Sequence, residues 1–252
     1  MRRKVEGEDT PYNPFILLCG HASMKTGEDG PTHADPQALQ LHLENYVPGT
    51  AVTLTPWEPQ EVWPALAAAL RARPAVIVPF VTRPGEPVLD REELGLAPPQ
   101  AAAQGVYKLV DAGDERDGTL VLQGSAVTYE FVQKALPMLR SEGIRLDVFY
   151  VTSPELFDRL SPDEQNEIFP REQAHEAMGV TDFTLPTLYR WIRSDLGMRH
   201  TMHPFQKGHY LGSGPGEAVV FEAGLHGEGQ FRAIKEYVGD LAEAREKGAV
   251  PA

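Results

Sequence analysis

The sequence predicts an α/β chain of two three-layer units, each a mainly parallel sheet covered by helices on both faces. Three observations predict it. Short aliphatic runs at residues 15–20, 52–55 and 76–81, and again at 120–123 and 146–151, have the length and composition of buried strands. Helix-period stretches separate them, and strand–helix–strand order with right-handed crossovers gives a parallel sheet covered on both sides. Between the two groups, residues 84–104 hold Pro84, Pro87, Pro98 and Pro99 and then an Ala/Gln stretch, the composition of a connection.

Taken in order, residues 1–13 are polar and contain proline, as in an arm or docking segment. Phe15-Ile16-Leu17-Leu18-Cys19-Gly20 reads as a buried strand ending at glycine. Residues 36–46 read as a helix with Leu39, Leu41 and Leu43 partly buried, and residues 52–55 as a short strand. Residues 58–71 alternate helix formers with Val62, Trp63, Leu66 and Leu70, an amphipathic pattern that assigns those four to the buried face. The β-branched run 76–81 is the next strand. In the second unit, residues 126–142 form a helix with Val127, Phe131, Ala135 and Leu139 on one face, and Gly143 stops it. A short helix is expected at 154–160. Ser161-Pro162-Asp163-Glu164 has proline at the first helical position and acids in the first turn. Residues 230–247 close the chain with an apolar stripe of Phe231, Ile234, Tyr237, Val238 and Leu241.

Composition narrows the function classes. Lys plus Arg number 23 against 36 Asp plus Glu, a net charge of −13, which argues against nucleic acid or an anionic membrane as partner because both need a basic face. Cys19 is the only cysteine, so no internal disulfide can form, and a reducing cytoplasm is the expected location. Met-Arg-Arg-Lys at the start is followed by Val-Glu-Gly-Glu-Asp rather than an apolar core, unlike a signal peptide, and no apolar run nears the ~20 residues of a membrane span.

The chemistry-bearing residues gather after the first strand. His21 precedes Gly27-Glu28-Asp29-Gly30-Pro31-Thr32-His33, which places two imidazoles and a carboxylate around a stiff Gly-Pro loop at the C-terminal end of a parallel strand, where open α/β sheets bind ligands. Three readings stand side by side: a solvated polar loop, a metal site drawing on His21, Asp29, His33 and Asp35, and an organic-cofactor or polyol site. The spacing matches no compact zinc pattern, and one cysteine rules out thiolate-rich sites.

That loop resembles the pyrimidine-domain loop of transketolases, the thiamine-diphosphate enzymes that move two-carbon ketol units between sugars, and the resemblance continues along the chain. Val52-Thr53-Leu54-Thr55-Pro56-Trp57-Glu58-Pro59-Gln60-Glu61 resembles the family's strand, proline turn and helix opening. Val76-Ile77-Val78-Pro79-Phe80-Val81-Thr82-Arg83 resembles the last strand of the same domain and its substrate-facing arginine. Leu120-Val121-Leu122-Gln123-Gly124-Ser125 resembles the first strand of the C-terminal domain, and Leu211-Gly212-Ser213-Gly214-Pro215 its late Ser-x-Pro loop.

The resemblance implies a domain plan: residues 1–83 a partial pyrimidine-binding domain, 84–104 a linker, and 105–252 a transketolase C-terminal domain. Only about twenty residues precede His21, too few for the βα units of a doubly wound domain at ~30 residues each. The family's diphosphate-binding domain, its metal motif and its cofactor-activating glutamate are therefore expected on an N-terminal subunit or half. The chain is expected to be inactive without it and to form a homo- or hetero-oligomer. By the same resemblance His33 serves proton transfer beside the thiamine ring. His21 bonds sugar hydroxyls and stabilises oxyanion character, Asp29 reads the C2 hydroxyl of the acceptor, and Arg83 pairs with a sugar phosphate. Thiamine diphosphate and Mg2+ are the implied cofactors, held mainly by the other half, with no metal ligands here.

Two alternatives remain: a non-catalytic assembly module derived from a transketolase, and a fragment of a deoxyxylulose-phosphate synthase or dehydrogenase β-subunit. The Gly-Glu-Asp-Gly-Pro-Thr-His loop favours transketolase over the latter two. In the second unit, the glycines of 212–216 fit either a turn or a phosphate cradle. Tyr189-Arg190-Trp191-Ile192-Arg193 fits either ligand stacking or an interface helix, and residues 173–203 depart from the commoner family pattern.

Overall fold

The structure, a computed structural model, describes residues 12–25, 36–43, 45–82, 84–113 and 115–248. Its architecture is α/β with two mainly parallel sheets, as the sequence predicts.

The first sheet has the order β1-β3-β2 and is parallel throughout, from β1 (Phe15–Ile16), β2 (Ala51–Leu54) and β3 (Val76–Pro79). Beyond β1 the chain stays beside β3, since Leu17 and Cys19 donate their amides to the Ile77 and Pro79 carbonyls. α1 (Ala38–His42) and α2 (Pro59–Ala72) accompany this sheet. Three expectations fail here, the first at α1, which is five residues long rather than eleven and leaves Leu41 68% exposed instead of partly buried. The run after Pro14 is exposed rather than buried, with Phe15 and Leu18 each 64% accessible, because it forms the outer edge of the sheet and no described residue covers it. α2 is turned about its axis: Glu61, Ala65 and Ala69 face inward, while Trp63 is 72% exposed and Val62 and Leu70 also face solvent.

The reason for the turn lies in residues 84–104, which are a docked strap. Arg91 is buried and its guanidinium bonds two carboxylates of the helix, Glu58 through Nε and Glu61 through Nη2 at 2.7 Å, while stacking 4.8 Å from the Trp57 ring. Tyr107 donates its hydroxyl to Glu61, and the Trp57 indole N–H donates to that hydroxyl oxygen at 3.0 Å. Burial pushes the Glu61 carboxyl above its usual range, with the Arg91 charge opposing. A buried glutamate that needs a cation on the inner face thus overrides the bulk of tryptophan in setting the helix orientation.

The second sheet runs β4-β6-β5-β7. β4 (Val106–Val110) is antiparallel to β6 (Leu146–Val151), whereas β5 (Gly118–Gln123) is parallel to both β6 and β7 (Met178–Thr181). All residues of β5, β6 and β7 are buried. One face meets α3 (Ser125–Glu130), α4 (Leu136–Ser141) and the closing helix, in a core that continues into Val52, Leu54, Trp57 and Ile77 of the first unit. The other face packs Phe149, Phe169, Trp191 and Ile192. α3 and α4 are one helix interrupted by a π turn, Phe131–Ala135, in which the Leu136 amide reaches back to the Phe131 carbonyl. Pro137 follows at once, and a widened turn relieves the clash of its ring with the preceding carbonyls.

The remaining helices are α5 (Pro154–Phe157), α6 (Pro162–Ile168), α7 (Arg171–Glu176), α8 (Asp195–His200), α9 (Gly216–Ala223) and α10 (Gly227–Glu246). Ser161 caps α6 in a reciprocal capping box with Glu164. α10 carries the expected stripe, with Ile234, Tyr237 and Leu241 fully buried.

Candidate active site

The C-terminal ends of β1, β3, β5 and β7 meet at one edge of the molecule. His21 stands there, exposed, two residues after Cys19 bridges to Phe80 at the end of β3. The three residues that follow turn inward: Ala22, Ser23 and Met24 are all buried. Ser23 adopts a left-handed backbone, φ 78°, a conformation that L residues other than glycine rarely take. Its side chain bonds the carboxylate of Asp182, which directly follows β7.

Asp182 is wholly buried and accepts two further bonds, from the amides of Ala126 at 2.7 Å and Val127 at 2.9 Å, in the first turn of α3. Burial raises its carboxyl to about 6, opposed by the Ser23 bond, the two amides and the nearby Lys25 charge. Gly124, at φ +109°, has to be glycine, because a Cβ there would lie 2.5 Å from the Asp182 Cβ.

Lys25 is held in turn by Glu86 of the strap at 2.6 Å and by the face of Tyr129, 4.4 Å from its centroid. The Pro36 carbonyl accepts from the Thr184 amide at 3.2 Å, and Gln40 of α1 accepts from the Thr184 hydroxyl at 2.6 Å. Phe183 between them packs edge-on against Phe80, 6.1 Å between centroids, in a cluster with Ala22 and Leu39.

Of the four site residues expected from sequence, the structure therefore places one, His21. Asp29, His33 and Arg83 lie outside the described residues. Among the described residues no three His, Cys, Asp or Glu side chains converge as metal ligands. Two of the glycines of 212–216 are already engaged. Gly216, which opens α9, abuts the backbone of Lys25, where an added Cβ would come within 2.9 Å of its Cα, and the Gly212 amide is taken up by Glu222. Gly216 is thus a packing contact for the residues after His21, while Gly214 lies open.

The aromatic–basic stretch is also structural. Trp191 is buried against Phe157 and Phe169, and Arg190 lies 4.7 Å over its ring while pairing with Asp158. The groove of about 690 Å3 beside Gln60, Leu89, Arg91 and Pro98 lies on the strap, and its charged lining is Asp90, Glu92 and the paired Arg91. The feature missed at the sequence level is Asp182. Its signal was available as an acidic residue directly after the apolar Met178-Gly179-Val180-Thr181 run, the position at which α/β strands deliver functional side chains.

No protein-family model matches the chain. Curated relatives are transketolases: one from Aquifex aeolicus is 28% identical over 207 residues, covering 82% of this chain and 28% of the relative. One from Rhodobacter capsulatus is 25% identical over 222 residues, covering 88% and 32%. Solved structures with the same fold include a transketolase from Leishmania mexicana, TM-score 0.70 at 21% identity, over 90% of this chain and 30% of that one. A Pichia stipitis transketolase mutant in complex with xylulose 5-phosphate gives TM-score 0.72 at 20% identity, over 88% and 30%. A chain described as split gene transketolase, inactive β4 tetramer, aligns at TM-score 0.54 and 16% identity, over 90% of this chain and 66% of that one. The chain spans about 30% of the length of the full transketolases it matches. Among the described residues no helix is long and apolar enough to cross a membrane. In sequence along most of its length, and in fold, the chain resembles the C-terminal portion of a transketolase.

Proposed function

We propose that this chain is the C-terminal part of a transketolase, a subunit or fragment that transfers two-carbon ketol units between sugar phosphates once an N-terminal half completes it. One observation carries the need for completion. The outer edge strand β1 is parallel, apolar and solvent-facing, with Phe15, Ile16, Leu17 and Leu18 all exposed, whereas parallel strands normally lie inside a sheet. The outward Trp63 of α2 adds an aromatic of the type that anchors interfaces. The domain limits 1–83, 84–104 and 105–252 belong to the same reading. So does a cytoplasmic location, which the lone, free Cys19 supports. The split-gene relative, whose tetramer of β chains is inactive, supports a chain of this extent needing a partner.

When bound, thiamine diphosphate supplies the carbanion, and Mg2+ its diphosphate anchor, both seated mainly on the N-terminal half. The work of this chain is positioning. His21, exposed at the strand ends, donates to or accepts from sugar hydroxyls and steadies the oxygen that gains charge. Asp29 reads the acceptor's C2 hydroxyl and His33 moves a proton at the reacting carbonyl. Arg83 offers its forked donors to a terminal phosphate.

The test is recovery of the tagged chain from its own cell extract with thiamine diphosphate and Mg2+ present, followed by identification of the bound protein and a ketol-transfer assay. A partner carrying the diphosphate-binding half, together with activity that disappears in His33→Ala, is the expected result. No such partner and no transfer would leave an assembly module without catalytic meaning for the histidine loop.

A further inference from the structure

We propose that Asp182 is a positioning residue for ketol transfer: it ties the backbone that carries His21 to the second sheet and to the first turn of α3. The inference rests on the reading of His21 as a sugar-facing group, and it assigns a role at the active edge to the second unit.

Every capacity of the carboxylate is directed to that join. Two of its bonds go to the α3 amides and one to the Ser23 side chain, two residues after His21. The Ser23 backbone sits at φ 78°, so the chain between His21 and Met24 is held in a costly conformation by contacts outside itself. The two residues after Asp182 hold the next described stretch. Phe183 packs with Ala22, Phe80 and Leu39, and Thr184 bonds Pro36 and Gln40. Three consecutive residues following β7 thus grip residues 22–23 on one side and 36–40 on the other. An apolar residue in its place would leave the Ala126 and Val127 amides without their acceptor and Ser23 without this bond, so the carboxylate caps α3 and holds residue 23 through the same two oxygens.

Amide hydrogen exchange on the full chain tests the tie directly, comparing wild type with Asp182→Asn, which keeps the shape but replaces one acceptor oxygen by a donor. Peptides covering 19–25 should exchange faster by about tenfold or more, the loss expected when a buried bond is broken. Those of β5 and β6 should stay protected. Thr184→Val should loosen only 36–43. Glu176→Gln serves as a destabilised control: that residue is buried before the other end of β7 and pairs with Arg116 and Arg245, so it should lower the melting temperature without touching 19–25. In the assembled enzyme Asp182→Asn should reduce kcat by about tenfold or more, with the control unchanged. Unaltered exchange at 19–25 would overturn the tie, and faster exchange with unaltered kcat would overturn its part in catalysis. An assembly in which even the wild type transfers no ketol group would instead defeat the functional reading, and the exchange data tell these failures apart.

Discussion

The two edges of the first sheet are finished in opposite ways. At β2 the free backbone is satisfied by the second unit: the Glu155 carboxylate accepts from the Thr53 amide at 3.1 Å and from its hydroxyl at 2.8 Å, and the Thr55 amide donates to Thr152. Burial raises the Glu155 carboxyl, so this closure is made at some electrostatic cost, and every residue of β2 is buried as a result. At β1 no described residue covers the strand, although its side chains are as apolar as those of β2. A sheet edge that is dry on one side and greasy on the other differs from the blunted edges of finished domains, which use charge, proline or a covering helix. The second sheet shows the finished form, with the antiparallel β4 as one of its outer strands and its interior strands wholly buried.

The comparison breaks most readily at the strap, which joins the two units. Arg91→Ala leaves Glu58 and Glu61 buried without their cation and should cost about 3–5 kcal/mol in urea unfolding, with residues 84–104 becoming sensitive to protease. A loss below about 1 kcal/mol would mean that the strap merely lies on α2. Next is Gly105, where the strap enters β4. It combines φ +86° with a position at which a Cβ would sit 2.3 Å from the Ser153 carbonyl oxygen. Gly105→Ala should cost about 3 kcal/mol through backbone strain and forced displacement of α5, read as a lower melting temperature.

A comparable effect, confined to a pH window, comes from Asp182. Its folded value of about 6 exceeds the ordinary 3.8, so between about pH 4 and 6 the native state holds more proton than the unfolded chain. Stability from this group therefore falls as pH rises through that window and is flat above it, a change of about 3 kcal/mol at most. The facing groups are Ser23, the α3 amides and Lys25, all of which favour the ionised form and limit the rise. Glu61 and Glu155 shift in the same direction, while His203 and His226, lowered by burial, withdraw stability as pH falls below about 6.5. The Asp182 contribution is isolated by subtracting the unfolding free energy of Asp182→Asn from that of wild type across pH 4 to 8. A difference without slope would contradict a raised carboxyl.

What the sequence made legible follows from which forces act locally. The strands at 52–55, 76–81, 120–123 and 146–151 and the closing helix declare themselves by composition and period, and their ends lie within three residues of those expected. The orientation of α2 was not legible, because it depends on Arg91 thirty residues away meeting Glu61, and helical period alone gives the bulky stripe to the core. β4 and β7 were not named from the sequence, and their strand character rests on pairing with β6 and β5. At the site, His21, Asp29 and His33 stood out by residue type and by their place after the first strand, while their roles, and Arg83, came through the family resemblance; only His21 has a described position. Asp182 carried only the local signal of an acid after an apolar run, and its role was not legible because its three partners lie at Ser23, Ala126 and Val127, in no common motif.

The smallest expected effect on the chain itself sharpens the comparison of the two edges furthest. Leu18→Lys places a charge on the open strand at a position already 64% exposed, so the chain alone should change in stability by less than about 0.5 kcal/mol. In the assembled protein the same lysine would be trapped on a sheet face that the partner covers and should reduce retention of the N-terminal half by about a hundredfold, since a buried unpaired charge costs several kcal/mol. Measured by titration of the partner onto the two forms, this separation between an indifferent fold and a failed assembly is what an edge built for another polypeptide demands. Equal retention by both forms would place the partner elsewhere, with the outward Trp63 of α2 then the surface to test by Trp63→Glu. A large loss of stability in the isolated chain would mean that β1 is covered from within.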